Sequence, residues 1–358
     1  MDRYLKIDNV EIHDGSDCYV IAEIGNNHQG SVDKCKELFR AAKECGANAV
    51  KLQKRDNLAL YTKDAYHKPY ESENSFGATY GEHREALEFG KDEYVELKKY
   101  AQELGITFFS TAFDIPSADF LEELDMPAYK IASGDLKSTP LLKYVAQFQK
   151  PMIVSTGAST IEDVQRAYDT IMPINPRLCI LQCTAAYPVE CEELDLNVIK
   201  TYREKFPDAV IGLSSHYSGI AMATAAYVLG SRVVEKHFTL NRAMKGTDHA
   251  FSLEPVGMRK LVRDLQRVRK ALGDGQKKVY LSEQPARMKM GKKLVAARDL
   301  PAGHVLTAED IAMKSPGDGL PPYELERIIG KTLMQPLCSD EAITFEMLRE
   351  WTGIEIAV

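Results

Sequence analysis

Eight short apolar runs, each followed by a helix-like stretch, predict an α/β chain folded as a closed (β/α)8 TIM barrel, with a small β-rich domain behind it. Two further observations favour closure over an open doubly wound sheet. No GxGxxG loop of the dinucleotide-binding kind follows any of the runs. Glu23, Lys51, Gln53, Thr111, Lys130, Ser133, Ser155, Gln182, Tyr187, His216 and His237 all fall at or just beyond the C-terminal ends of predicted strands, and in a barrel those ends surround one mouth.

The first run, Cys18 to Ile24, follows a short polar lead-in and ends in Glu23-Ile-Gly-Asn-Asn-His28-Gln-Gly30, after which an amphipathic helix is expected from Val32 to Cys45. The second, Ala49 to Gln53, opens into a long excursion from Lys54 to Gly90 that mixes Arg55, Lys63, His67, His83 and Arg84 with aromatics. A loop of that length is either functional or a solvated excursion. The remaining runs are Thr107 to Thr111, Ala128 to Ala132, Met152 to Thr156, Leu178 to Thr184, Ala209 to Ser214 and Arg232 to Phe238. A helix between Gly219 and Leu229 joins the last two, which makes them parallel neighbours and brings His216 and His237 together. The last barrel helix is expected from Pro255 to Leu272. A polar stretch, 273–290, reads as a linker, and short strands separated by Pro and Gly turns fill 291–358. The division is therefore a barrel domain over 1–272, a linker, and a second domain of about sixty residues, whose core is small enough to require docking on something larger.

Composition bounds the function. With 44% apolar residues in 358, the chain has ample material for a core, and its net charge of -7 argues against nonspecific nucleic-acid binding. The N-terminus lacks a signal-peptide apolar region and no apolar run is long enough to span a bilayer, so a cytoplasmic protein with small-molecule partners or copies of itself is expected. Seven cysteines without zinc-ribbon spacing read as reduced, mostly buried thiols.

A lone histidine after a strand is ordinarily structural. Two at equivalent strand ends, with Glu235, Lys236, Lys245, Asp248 and His249 close by, favour a metal or catalytic site. Without cysteine, two imidazoles leave most positions to water and substrate, which suits an open divalent Mn, Fe, Co or Zn site. Lys51 and Lys130, with Thr111, Ser133 and Ser155, would form a cradle for phosphate or carboxylate. Schiff-base chemistry is the rival use of Lys130.

Several phrases also carry a resemblance: Ile21-Ala-Glu-Ile-Gly-Asn-Asn-His-Gln-Gly30, Thr79-Tyr-Gly-Glu-His83, Tyr129-Lys-Ile-Ala-Ser-Gly134, Leu181-Gln-Cys-Thr-Ala-Ala-Tyr-Pro188, Glu235-Lys-His-Phe238 and Gly246-Thr-Asp-His249. Together they resemble the sialic acid synthase family, and the C-terminal stretch resembles its antifreeze-like SAF domain of β-clip type. The resemblance implies condensation of phosphoenolpyruvate with the open-chain aldehyde of N-acetylmannosamine or its 6-phosphate, releasing phosphate and giving N-acetylneuraminate or its 9-phosphate. It implies that Lys51, Thr111, Lys130, Ser133 and Ser155 hold phosphoenolpyruvate, that His216 and His237 hold manganese (Mg2+ or Co2+ as alternatives), and that Tyr187 and Asp248 hold the sugar. Glu23 is the catalytic candidate for proton transfer, with Gln53 and Glu235 as secondary polar contacts. A homodimer with swapped SAF domains is implied too. One departure stands out: in the bacterial synthases that use the free sugar an arginine follows a lysine in the SAF domain, whereas here Ser315 follows Lys314. Competing expectations are a synthase of a related nonulosonate (legionaminic, pseudaminic or KDN type), a 3-deoxy keto-acid synthase of the KDO 8-phosphate type, and a carbohydrate- or ice-binding C-terminal module on a scaffold barrel.

Overall fold

Side chains alternate sides along a strand, and in the eight apolar runs both sides are almost wholly buried, as a barrel ringed by helices requires. The computed structural model describes residues 3–350. After an N-terminal hairpin, β1 (Tyr4–Ile7) and β2 (Val10–His13), come the barrel strands β3 (Tyr19–Gly25), β4 (Ala49–Lys54), β5 (Thr107–Ala112), β6 (Tyr129–Ile131), β7 (Met152–Ser155), β8 (Leu178–Cys183), β9 (Val210–Ser215) and β10 (Val233–His237). They pair in chain order, all parallel, and β10 closes on β3 with His237 beside Glu23. Strand edges differ from the sequence expectation by a residue or two, because apolar character continues past the last ladder hydrogen bond.

The interior is layered. Ile21, Ala49, Phe109, Ala128, Ile153, Cys179, Leu181, Val210 and Val233 form an apolar plug in the N-terminal half, and Leu5, Ile7 and Ile12 of the hairpin pack onto it. The polar lead-in expected from sequence is thus a cap on the barrel bottom, with four-residue strands too short to show a periodic signal. Gly212 sits in this packed interior: a Cβ there would lie 2.4 Å from a Leu181 methyl and 2.6 Å from the Val233 carbonyl, so no larger residue fits. Above the plug, the next inward positions are Glu23, Lys51, Thr111, Lys130, Ser155, Glu235 and His237. The outward positions, such as Val20, Ala22, Val50, Leu52 and Val234, pack against the helices.

Local signals place those helices. The first runs Val32–Glu44 behind an N-cap at Ser31, whose hydroxyl accepts from the Lys34 N–H. Lys91–Leu104 ends at Gly105, which takes the left-handed conformation (φ 65°). The excursion after β4 holds three short helices, Asn57–Leu60, Lys63–His67 and Tyr80–Glu85, the last opened by a Thr79/Glu82 capping box.

The chain divides into two compact units after Gly273. In the second, the stretch read as a linker carries a short helix, Gln284–Met290, on an exposed segment. β11 (Lys293–Ala296) pairs antiparallel with β12 (Ile311–Lys314), and β13 (Thr332–Leu333) with β14 (Leu348–Arg349). Leu294, Leu300, Leu306, Ile328, Leu333, Leu337 and Ile343 make its core. Buried Asp310 is its polar anchor: the carboxylate accepts from Arg298 Nη2 at 2.7 Å, His304 Nε2 at 2.8 Å and the Thr307 N–H at 2.9 Å. The final eight positions of the predicted 291–358 domain lie outside the described residues.

Candidate active site

A cavity of about 710 Å³ opens at the C-terminal ends of the barrel strands, and all the residues read from sequence as catalytic, substrate-binding or metal-binding line it. Ten of them belong to strands or follow them at once, as the layering dictates: Glu23 on β3, Lys51 and Gln53 on β4, Thr111 on β5, Lys130 on β6, Ser133 in the turn after β6, Ser155 ending β7, His216 just after β9, and Glu235 and His237 on β10. Tyr187 and Asp248 come from the loops after β8 and β10. Gln182, by contrast, points away from the cavity and donates to the Leu194 carbonyl at 3.2 Å.

Lys51 stands at the centre. Its Nζ lies 2.6 Å from Glu23 Oε2 and 3.8 Å from Glu235 Oε1, and donates to Thr111 Oγ1 at 2.7 Å. Gln53 Nε2 donates to the other Glu23 oxygen at 2.7 Å. Glu23 is 1% exposed, and this burial, with Glu235 adding repulsion, pushes its carboxyl up to about 7 against the pull of Lys51. Burial would raise Glu235 as well, but Lys51, Lys130 and the two histidines outweigh it and hold that carboxyl below the usual range. The two acids around one ammonium are thereby set apart, one ready to carry a proton near neutrality and one ionised.

Lys130 Nζ donates to the Ile131 carbonyl at 2.7 Å, and burial pulls its ammonium down. Beside it, Ser133 Oγ accepts from the Gly157 N–H at 2.9 Å, and the buried Ser155 Oγ has no hydrogen-bond partner among the described residues. Two ammonium groups and three hydroxyls converge, which is a donor set for a small polyanion.

In the same cavity the His216 and His237 rings lie tilted at 52° to each other with centroids 5.4 Å apart. His216 Nδ1–H donates to the Thr184 carbonyl at 3.0 Å, which leaves Nε2 for another partner. Buried His237 Nδ1 has no hydrogen-bond partner among the described residues and lies 3.7 Å from Asp248 Oδ2. Burial lowers both imidazoles, that of His216 to about 4, so they are neutral and able to ligate. Among the described residues no three histidine, cysteine or carboxylate groups converge as a cage. The pair fits an open divalent site, with its other positions left to substrate and water, and not a closed structural one. Tyr187, exposed at 56%, covers His216 with ring centroids 4.1 Å apart.

Comparisons with known proteins identify the family. The NeuB family profile matches residues 38–277, and the SAF domain profile matches residues 293–349. The chain belongs to the NeuB family. N-acetylneuraminate-9-phosphate synthase of Homo sapiens is 40% identical over 332 residues, 92% of each chain. N,N'-diacetyllegionaminic acid synthase of Legionella pneumophila is 35% identical, covering 92% of this chain and 94% of its own. The crystal structure of an N-acetylneuraminic acid synthetase from Leptospira borgpetersenii superposes with a TM-score of 0.69 at 30% identity, covering 80% of this chain and 95% of its own. Among the described residues of this NeuB-family chain no helix is long and apolar enough to cross a membrane.

The cavity of this NeuB-family barrel also has walls that strand-end reasoning missed. Asn26, Arg55, Asn74, Arg84 and Thr247 line it alongside the expected residues. Arg55 and Arg84 were visible only as basic residues in a long loop. The capping box at Thr79 marks a helix start, but nothing local says that this helix turns back over the barrel mouth.

Proposed function

We propose that the protein condenses phosphoenolpyruvate with the open-chain aldehyde of N-acetylmannosamine or its 6-phosphate, giving N-acetylneuraminate or its 9-phosphate and inorganic phosphate. The observation that carries this is the pairing, in one cavity, of a lysine and hydroxyl cradle with a two-histidine face and a Glu23 carboxyl poised near neutrality. The 40% identity to a synthase of N-acetylneuraminate 9-phosphate supports the same choice over other acidic-sugar products.

In this scheme Lys51 and Lys130 neutralise the phosphate and carboxylate of phosphoenolpyruvate, and Thr111, Ser133 and Ser155 orient them. C3 of the enol attacks the aldehyde carbon of the acceptor; water adds at C2, and the C–O bond to phosphate breaks. Glu23 holds the mobile proton between the forming hydroxyl and the attacking water. Gln53 fixes its rotamer, and Lys51 fixes its charge. His216 and His237 would hold a divalent cation, manganese by preference, whose chemistry is Lewis acidity toward the acceptor oxygen. Tyr187 and Asp248 at the mouth would meet the sugar. The functional unit is a homodimer in which the SAF domain of one chain covers the barrel of the other.

Product mass settles the chemistry: phosphoenolpyruvate should be consumed with N-acetylmannosamine or its 6-phosphate and yield the corresponding nine-carbon 2-keto acid. Consumption only with an aldopentose or aldotetrose phosphate would overturn the proposal in favour of a 3-deoxy keto-acid synthase.

A further inference from the structure

Lys236 takes no part in the scheme above, although it stands between two residues that do. It lies on β10 between Glu235 and His237, and because side chains alternate along a strand it points out of the barrel while those two point into the cavity. It is 1% exposed. Its Nζ donates to the main-chain carbonyl of Tyr217 and enters no ion pair among the described residues. Burial lowers its pKa, and no neighbouring charge offsets that. Lys51, buried almost as deeply, has two carboxylates beside it. A buried amine with one neutral acceptor costs stability that an apolar side chain of similar shape would not, and a local rule broken in this way points to function.

The position of the acceptor says what the bond does. Lys236 pairs with Ser215, where the β9–β10 ladder ends. Beyond that rung the chain turns through His216, Tyr217 and Ser218 to Gly219, whose φ of 141° suits glycine. Side chains hold this turn: Ser215 Oγ accepts from the Tyr217 N–H at 3.4 Å, the Thr184 carbonyl lies 3.0 Å from His216 Nδ1, and Lys236 fixes the carbonyl just after His216. One side chain thus joins the segment carrying His216 to the strand carrying His237, at a level where ladder bonds no longer do so. Two imidazoles share one ion only while both rings keep their places, and drift of the main chain at residue 217 would carry the His216 ring with it.

We propose that Lys236 is a positioning residue: by holding the Tyr217 carbonyl it keeps His216 Nε2 aligned with His237 for one divalent cation. This rests on the reading of the two histidines as a metal-binding face. Calorimetric titration of the intact, metal-free protein with Mn2+ tests it without recourse to turnover. Lys236→Met should weaken Mn2+ binding about ten- to hundred-fold. The Tm of the metal-free variant should equal that of the wild type or exceed it, because an apolar chain replaces a lone buried amine. Lys236→Gln, with a shorter N–H donor, should fall between the two in affinity and gives the comparison a second variant. Turnover of Lys236→Met should return toward the wild-type rate as Mn2+ is raised, with the KM for phosphoenolpyruvate unchanged. His216→Ala sets the scale by removing a ligand outright. Wild-type Mn2+ affinity in Lys236→Met overturns the positioning role and leaves the histidine face standing. A metal-free Tm several degrees lower in both variants, failure to fold included, also overturns it, since the bond is then a support of the fold. Wild-type protein that binds no Mn2+, or binds it as tightly after His216→Ala, overturns the metal reading and this inference with it.

Discussion

Replacing Lys51 by methionine keeps an unbranched side chain one atom shorter and removes the charge at the centre of the site. In the wild type Nζ lies 2.6 Å from Glu23 and 3.8 Å from Glu235, and donates to Thr111 at 2.7 Å, all in a place where Lys51 itself is 2% exposed. Two consequences have different magnitudes. A charge-assisted hydrogen bond to a desolvated anion is worth about 1.5–3 kcal/mol, so the KM for phosphoenolpyruvate should rise roughly 10- to 150-fold. The free protein also loses the partner of two buried carboxylates, a change that costs about 3–5 kcal/mol when one half of a buried pair is removed. For a barrel of this size that is a fall in Tm on the order of 10 °C. Initial rates of phosphate release, with each substrate varied at saturation of the other, and thermal unfolding by circular dichroism measure the two separately. Equal rises in KM for both substrates would refute the assignment of Lys51 to phosphoenolpyruvate, and an unchanged Tm would refute the central ion-pair argument.

Alanine at His216 or His237 should lower bound divalent metal and turnover together, measured by elemental analysis and rate; full activity in chelated, metal-free protein sinks that expectation. Burial alone would raise the Asp310 carboxyl, but its bonds from His304, Thr307 and Arg298 outweigh burial and hold it well below the ordinary range. Its stabilising contribution is thus present above the unfolded value of about 3.9 and is lost as pH falls through the lower folded value. Asp310→Asn should accordingly cost about 1.5–3 kcal/mol near pH 7 and converge with the wild type in strong acid, as read by denaturant melts; a cost independent of pH would contradict the sign. For the dimer, Glu23→Ala mixed with a chain ending at Met290 should recover activity through hybrids holding one intact barrel and one intact SAF domain. Verified mixed dimers without activity would exclude the swapped lid.

How far the site could be read in advance follows from the range of the forces involved. Glu23, Lys51, Thr111, Lys130, Ser155, Glu235 and His237 are spread over more than two hundred residues, yet each announces itself as a polar side chain where an apolar run ends. A barrel gathers all such positions at one rim. Gln182 met the same rule and failed, because an odd step along β8 turns it outward to the Leu194 carbonyl. Arg55 and Arg84 failed the rule in the other direction. Their place depends on how residues 54–90 return to the barrel, held by Lys54 and the Arg55 N–H on Glu88 at 3.2 Å and by Phe89 stacked on His28 at 4.2 Å.

The sequence by itself therefore determined the barrel, its strand order and the end at which the polar groups collect, since continuous apolar runs, the two-residue alternation of side-chain direction and chain direction are local properties that topology merely repeats eight times. Tertiary structure alone decided which charges touch. That Lys51 lies between Glu23 and Glu235, that the N-terminal hairpin seals the barrel bottom, and that two arginines of the long loop reach the mouth all depend on side chains meeting across elements far apart in the chain. No local pattern encodes those meetings, because the free energy that fixes them comes from packing and pairing that exist only once the barrel has closed.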